Sequence, residues 1–152
     1  MRNILKVFIG LDIDQIALDI ARTKEHKELV IGLNTEGEPT SQLFELGEDS
    51  QGRTLESIGG EYSPFTVQEK QRKGQPTDRI TLKDTGAFYL TFDVKPFKGG
   101  FVIEANTIKD NDDLEKRWGD EIIGLNDENL NLVVNFYKIQ ILNLLNNKLN
   151  AA

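Results

Sequence analysis

The first third of the chain repeats apolar residues at three- and four-residue spacing between charged ones, which is the pattern of amphipathic helices. The pattern covers residues 11–20 and 29–33 and ends at a glycine and a proline in 37–39. A short polar stretch, 23–26, separates the two runs. We therefore predict a helical N-terminal part, residues 1–35, made of two helices with a weak join at 23–26.

Residues 36–77 are rich in glycine and proline and carry little apolar periodicity. This composition predicts extended loops, interrupted by a short helical turn at 42–46 and by two helical turns at 66–72. Loops of this length in a compact domain are usually functional or dock on a partner. We expect these to bind partners.

Three segments then change to the alternating, β-branched and aromatic pattern of strands: 79–83, 88–94 and 101–105. The sequence Lys98-Gly99-Gly100 between the last two suits a tight turn. The pattern predicts a small antiparallel β-sheet, a three-stranded meander, within residues 78–107.

The C-terminal part, residues 110–149, predicts a short acidic helix at 110–120 and a long helix that begins after Asn126 and runs for roughly 20 residues. Part of its apolar stripe is expected to face another subunit, since a small sheet does not cover so long a helix. The expected fold is a single α+β domain over residues 1–152. The stripe consists of Leu130, Val133, Val134, Tyr137, Ile141, Leu144, Leu145 and Leu149.

The amino-acid composition excludes several kinds of catalytic and metal site. The chain has no Cys and one His in 152 residues, which excludes disulfides, thiolate nucleophiles, thiolate zinc sites and multi-histidine metal centres. His26 lies among charged neighbours and is expected on a helix surface. We expect no metal, no cofactor and no catalytic residue. No apolar run is long enough for a membrane span and residues 1–10 do not resemble a signal peptide, so we expect a soluble cytoplasmic protein.

The net charge of −7 is unevenly distributed. Residues 1–63, 64–100, 101–130 and 131–152 carry net charges of −6, +3, −6 and +2. Unlike bands of this kind can fix the register between copies of a chain, although an ordinary solvated surface also accounts for them. The residues expected to pair between copies are Arg72, Lys73, Arg79 and Lys83 on one side and Asp110, Asp112, Asp113 and Glu115 on the other.

The turn Asp84-Thr85-Gly86, followed by Ala87, resembles the active-site turn of retroviral-type aspartic proteases, in which two such aspartates share a proton across a dimer. Residues 122–126, Ile-Ile-Gly-Leu-Asn, also resemble a segment of those enzymes. The short distance in sequence between the two motifs and the charged Lys83 speak against this hypothesis. Asp, Thr and Gly are also ordinary turn residues, and the protease is kept as the alternative.

Taken as an ordered series, the same segments resemble the tail-completion and virion-morphogenesis family of tailed bacteriophages, the neck and head–tail joining proteins. The series begins with paired helices, a Gly-rich loop with Asp49-x-x-Gly52 and a basic segment ending in Lys73-Gly74. The turn Leu82-x-Asp84-Thr85-Gly86-x-Phe88 then leads into strands, and Gly124, Leu125 and Asn126 open the last helix.

The resemblance implies a structural virion protein without catalysis, which forms a homo-oligomeric ring of six or twelve copies at the head–tail junction. It implies portal or adaptor proteins and tail proteins as partners, with phage DNA passing nearby without specific binding. It also implies a place in the virion, after assembly in the host cytoplasm, and no membrane contact.

Overall fold

The computed structural model describes residues 11–151 and shows the predicted α+β class: helices, small antiparallel sheets and a long C-terminal helix. The helices are α1 (Ile13–Ala21), α2 (Lys24–Asn34), α3 (Leu55–Gly59), α4 (Pro64–Arg72), α5 (Leu114–Trp118) and α6 (Asp127–Ala151). The strands are β1 (Asp93–Phe97), β2 (Gly100–Glu104), β3 (Ile108–Lys109) and β4 (Asp112–Asp113). A π-helical turn (Gln42–Leu46) and two 3₁₀ turns (Tyr89–Thr91 and Asp120–Ile122) complete the elements.

The N-terminal helices form where the apolar pattern predicts them. Asp12 caps α1, with its carboxylate accepting the N–H of Gln15 at 3.0 Å. The predicted join is real: Thr23 caps α2 and accepts the N–H of His26 at 3.2 Å. A side-chain acceptor at each N-terminus satisfies an N–H that has no partner within the helix.

The segment 36–77 contains more helix than its glycine content indicates. The predicted turn at 42–46 is the π-helical turn, and the predicted turns at 66–72 belong to α4, which Pro64 begins. The short helix α3 was not predicted, because two glycines at its end mask its pattern.

The prediction of a three-stranded meander is wrong. Residues 79–83 pair with no strand among residues 11–151, because side chains take the main-chain groups that a ladder needs. The N–H of Thr81 donates to the hydroxyl of Tyr62 at 2.9 Å, and its carbonyl accepts the hydroxyl of Tyr89. Leu82 also has φ of 55°, outside the β region. The start of 88–94 is likewise a 3₁₀ turn rather than a strand.

What forms is a pair of two-stranded hairpins. β1 and β2 pair antiparallel, with Phe97 opposite Gly100 across the predicted Lys98-Gly99 turn. β3 and β4 make a second hairpin that replaces the start of the predicted helix at 110–120. Asp110 and Asn111 turn this hairpin with φ of 48° and 70°, a conformation that these residue types tolerate. The helix proper is limited to α5, and both Leu114 and Trp118 are buried, as their spacing predicts.

Helix α6 is 25 residues long and begins as predicted, because the side chain of Asn126 accepts the N–H of Asn129 at 2.9 Å. Val133 lies in a small core with Val30, Leu33 and Val94, where α6 meets α2 and β1. The larger core lies under a cleft between α4, the β3–β4 hairpin and α5. It contains Leu43, Leu55, Ile80, Phe88, Tyr89, Phe92, Leu114, Trp118 and Ile122.

His26 is fully buried, so its predicted surface position is wrong. Its ring packs edge-on against Phe101 and Tyr137, with ring centroids 4.9 and 5.3 Å away. Nε2 lies 3.1 Å from the hydroxyl of Tyr137, while Nδ1 has no hydrogen-bond partner. The charged residues on either side of His26 are exposed, while His26 itself faces the core. A stretch of charged residues in the sequence therefore does not reveal the single inward-facing position.

Burial lowers the pKa of His26, which predicts a pH effect on stability. The folded state favours neutral imidazole, whereas the unfolded chain binds a proton near pH 6.5. The free energy of unfolding is therefore expected to fall as the pH drops below about 6.5. Urea unfolding of the wild type and of His26→Phe at pH 7.5, 6.5 and 5.5 measures this. Since His26 is the only histidine, the variant is expected to lose less stability over this interval; equal losses would exclude His26 as the cause.

Candidate functional site

A cleft of about 490 Å³ is lined by residues 61–63 and by side chains of α4, the segment 80–84, the β3–β4 hairpin and α5. Its apolar lining consists of Ile80, Leu82, Leu114 and Trp118. Ten charged side chains surround these residues, five of each sign. The basic ones are Lys70, Lys73, Lys83, Lys109 and Arg117, and the acidic ones are Glu61, Glu69, Asp84, Asp110 and Asp112.

Lys70 is the most buried charge of the cleft, with 6% of its surface exposed. Its ammonium donates to the carbonyl of Lys83 at 2.7 Å and to the side chain of Gln75 at 3.2 Å, and lies 4.8 Å from the ring centroid of Tyr62. Neutral acceptors and a ring face therefore hold this cation. Sequence reasoning missed Lys70, although it lies three residues before Lys73, the C-cap of α4, and so on the same side of the helix end.

Asp84, from the predicted turn, is at the cleft edge and contacts two lysines. Its carboxylate accepts a hydrogen bond from Lys73 and lies 3.5 Å from the ammonium of Lys109. The hydrogen bond from Lys73, with the charge of Lys109, lowers the pKa of Asp84. An aspartic-protease dyad needs one carboxyl that keeps its proton, so these contacts do not favour the protease alternative.

The rest of the predicted turn is structural. Thr85 accepts the N–H of Ala87 at 3.3 Å, and Gly86 has φ of 87°, which favours glycine. The carbonyl of Gly86 then accepts the N–H of Leu90 at 3.1 Å. The motif therefore turns the chain from the cleft toward the 3₁₀ turn at 89–91.

The four basic residues predicted for assembly each pair with an acid of their own chain. Arg72 contacts Glu69 at 2.8 Å, and Lys73 contacts Asp84. The other two make longer-range pairs: Arg79 lies 3.7 Å from Glu45, and Lys83 contacts Glu36. Their charges are thus balanced within the protomer.

The four acidic residues predicted for assembly lie on or beside the β3–β4 hairpin. Asp113 caps α5 by accepting the N–H of Lys116 at 3.3 Å, and Glu115 is exposed. Asp110 and Asp112 line the same cleft as Lys73 and Lys83. Four of the eight residues predicted for two opposite surfaces therefore line a single cleft. Pairing of these eight residues between copies stays a prediction.

The predicted start of the last helix, Gly124, Leu125 and Asn126, is held by a buried polar network. Asn34 donates to the carbonyl of Ile122 at 3.2 Å and accepts the N–H of Gly124 at 2.8 Å. Gln42 donates to the carbonyl of Gly124 at 2.9 Å and accepts the N–H of Asn126 at 2.7 Å. Two buried amides thus fix where α6 begins.

Helix α6 also has a second apolar side that stays partly exposed in the described chain. Leu132, Ile139, Leu142 and Leu149 occupy four of six successive a and d positions of a heptad pattern, the seam of a coiled coil, and Asn135 and Asn146 occupy the other two. We call the four apolar residues the outer face of α6. They are 41%, 56%, 58% and 37% exposed.

No cluster of three or more His, Cys, Asp or Glu side chains suited to a metal ion occurs within residues 11–151. None of the helices in that range combines the length and the apolar character needed to cross a membrane. No family model, curated protein or solved structure matches this chain.

Proposed function

We propose that this protein is a structural component of a tailed bacteriophage, a connector or tail-completion protein at the head–tail junction. It works without catalysis, by assembling with copies of itself into a ring of six or twelve. The observation that carries this proposal is the outer face of α6. The order of the sequence motifs supports the phage assignment.

The outer face suits assembly because it exposes apolar side chains that the protomer does not need for its own core. Fully burying a large aliphatic side chain contributes about 1.5 to 3 kcal/mol, and these four are about half exposed, so association gains part of that value from each. Ring contacts are heterologous, in which a patch on one copy fits a different patch on the next. A helix with one side on the core and the other exposed can extend a packed layer to the neighbouring copy.

The remaining parts of the proposal concern neighbours in the particle. Portal or adaptor proteins and tail proteins bind the segment 36–77, whose π-helical turn, α3 and α4 are joined by short connections. Phage DNA passes nearby without specific contacts. The protein is assembled in the host cytoplasm and resides in the virion.

The outer face is tested by the double variant Ile139→Glu/Leu142→Glu. Charges on the seam are expected to abolish rings seen by electron microscopy and by native mass spectrometry, while circular dichroism stays unchanged because both side chains are exposed. The matched control is Lys148→Glu, which makes the same change of two units in net charge at an exposed position on the opposite side of α6. Rings that survive the seam variant, or a wild-type chain that is monomeric both alone and in particles, contradict the proposal.

The phage assignment is tested separately. Immunogold electron microscopy of tailed particles from the organism that carries the gene is expected to place the label at the head–tail junction. Particles that lack the protein, or that carry the label elsewhere, refute the assignment and leave the ring contact to be judged by the seam variant.

A further inference from the structure

The two edges of the β1–β2 hairpin differ in their main-chain groups. Pro96 lies opposite Phe101 and has no N–H, so this pair cannot exchange the two hydrogen bonds of a hydrogen-bonded pair. Hydrogen-bonded pairs alternate with the others along a ladder. The main-chain groups of Val94 and Pro96 on β1, and of Phe101 and Ile103 on β2, therefore point away from the partner strand.

The outer edge of β1 is closed to another strand. Pro96 offers no donor, and the N–H of Val94 donates to the side chain of Asp93 at 2.9 Å. Proline and local capping are the usual means by which proteins prevent edge-to-edge pairing.

Within residues 11–151, the outer edge of β2 has neither a proline nor a side-chain cap on its main-chain groups, although α1 also contacts this strand. Phe101 and Ile103 present two N–H groups and two carbonyls, and no other group within residues 11–151 bonds to them. Val102 between them is 47% exposed on the opposite side of the strand. An unpaired edge with apolar side chains is a template for one more strand.

A groove of about 380 Å³ runs beside this edge. Its lining has no charged residue: it consists of two glycines and of Phe101, Ile103, Ile123, Leu125 and Leu130. Leu130 and Val134, one turn apart on α6, are 44% and 42% exposed and add to the apolar surface. The occupant must therefore be an extended segment with apolar side chains at alternate positions.

We infer that the occupant is β2 of a second copy, which pairs antiparallel with the first around a two-fold axis at Val102. In this register Phe101 of each copy lies opposite Ile103 of the other. Both residues direct their main-chain groups outward, so four hydrogen bonds form across the axis. The two hairpins become one four-stranded sheet, and the Phe101 and Ile103 side chains of both copies adjoin the groove.

The edge is self-complementary in its side chains as well. Val102 meets Val102, an apolar pair on the exposed side of the sheet. Glu104, the one charged residue of β2, falls opposite Gly100 of the other copy, so no like charges face each other directly. The contact uses neither the outer face of α6 nor the phage assignment, and it stands without the proposed function. A six-membered ring whose members also pair in this way would contain twelve copies.

Charge exchange at Val102 tests the pairing. Val102→Lys and Val102→Glu each place like charges opposite one another on the axis, and each variant is expected to halve the native mass of the wild type. An equimolar mixture of the two, refolded together, is expected to restore it through Lys–Glu pairs. Ile13→Lys and Ile13→Glu are the controls, because Ile13 is 54% exposed and lies outside the hairpins; they are expected to keep the wild-type mass, separately and mixed.

A second variant guards against misfolding at position 102. Ile103→Pro removes one outward N–H and no hydrogen bond of the β1–β2 ladder, although it also shortens a side chain that packs against both cores. It is expected to halve the mass while the circular dichroism spectrum stays that of the folded protein and the urea midpoint falls. A monomeric wild type, a mass unaffected by the Val102 charges, or a mixture that does not recover the wild-type mass overturns the inference. Loss of mass in the α6 seam variant alone bears on the ring and not on this pair.

Discussion

Replacing Asn129 with alanine is expected to lower the free energy of unfolding by about 3 to 4 kcal/mol, because it leaves several buried polar groups without partners. The side chain is fully buried. Its amide donates to the carbonyls of Leu33 at 3.2 Å and Thr40 at 2.8 Å, and its oxygen accepts the hydroxyl of Thr40 at 2.7 Å. A buried group left unpaired costs about 1 to 3 kcal/mol, and alanine leaves the space of the side-chain amide empty.

The matched control is Asn131→Ala, two residues further along the same helix and exposed. It removes the same amide and is expected to change stability by no more than about 0.5 kcal/mol. Urea unfolding followed by circular dichroism measures both. Similar losses in the two variants would mean that the buried network contributes nothing beyond helix propensity.

Replacing Trp118 with alanine is expected to cost about 3 to 5 kcal/mol, the range for removing a large aromatic side chain from a core. Trp118 is buried and belongs to the larger core, and the Arg117 guanidinium lies 4.4 Å from its ring centroid. The void would open directly beneath the cleft. Since Trp118 Nε1 has no hydrogen-bond partner among the described residues, Trp118→Phe loses no hydrogen bond and is expected to cost less than alanine.

The packing of Trp118 can also be disturbed from α3, where Gly59 faces its ring. A Cβ added at Gly59 would lie 2.2 Å from the indole nitrogen of Trp118, so Gly59→Ala is expected to displace the ring at a cost of about 1 to 3 kcal/mol. Ile108→Ala, which shortens an exposed apolar side chain, serves as the control. Thermal unfolding of all four variants measures these effects. If Gly59→Ala were as stable as the wild type, α3 and α5 would have to move apart at little cost in free energy.

Local pattern accounts for most of the helices and for one hairpin. The caps of α1, α2 and α6 come from residues next to the helices they cap, so the sequence alone indicates them. The Lys98-Gly99 turn is local in the same way. For these helix starts and this turn, the predictions and the structure agree.

The predicted strand at 79–83 shows where local pattern fails. Burial along it does not alternate, since the neighbouring residues Ile80 and Thr81 are both buried. Its main-chain partners, however, are the hydroxyls of Tyr62 and Tyr89, and nothing in the sequence indicates that a side chain will replace a neighbouring strand. His26 was misplaced for a related reason, because aromatic residues of β2 and α6, distant in sequence, provide its surroundings.

The site was predicted by residue type more than by position. Lys73, Lys83, Asp110 and Asp112 were named from the charge bands as members of two opposite surfaces, whereas all four line one cleft. Folding brings these residues to one cleft because the turn at Asp84 and the β3–β4 hairpin meet beside α4. The unprotected edge of β2 also depends on register, which the sequence does not reveal.

The long reach of Asn129 also sets the order of events during synthesis. It bonds to Leu33 and Thr40 across 96 and 89 positions in sequence, so the early helices cannot complete their polar pairing until residue 129 has left the ribosome. Contacts this distant in sequence form slowly, because the entropy of loop closure opposes them. A chain in which Asn129 has not yet reached Leu33 and Thr40 therefore lacks the polar contacts that anchor the first turn of α6.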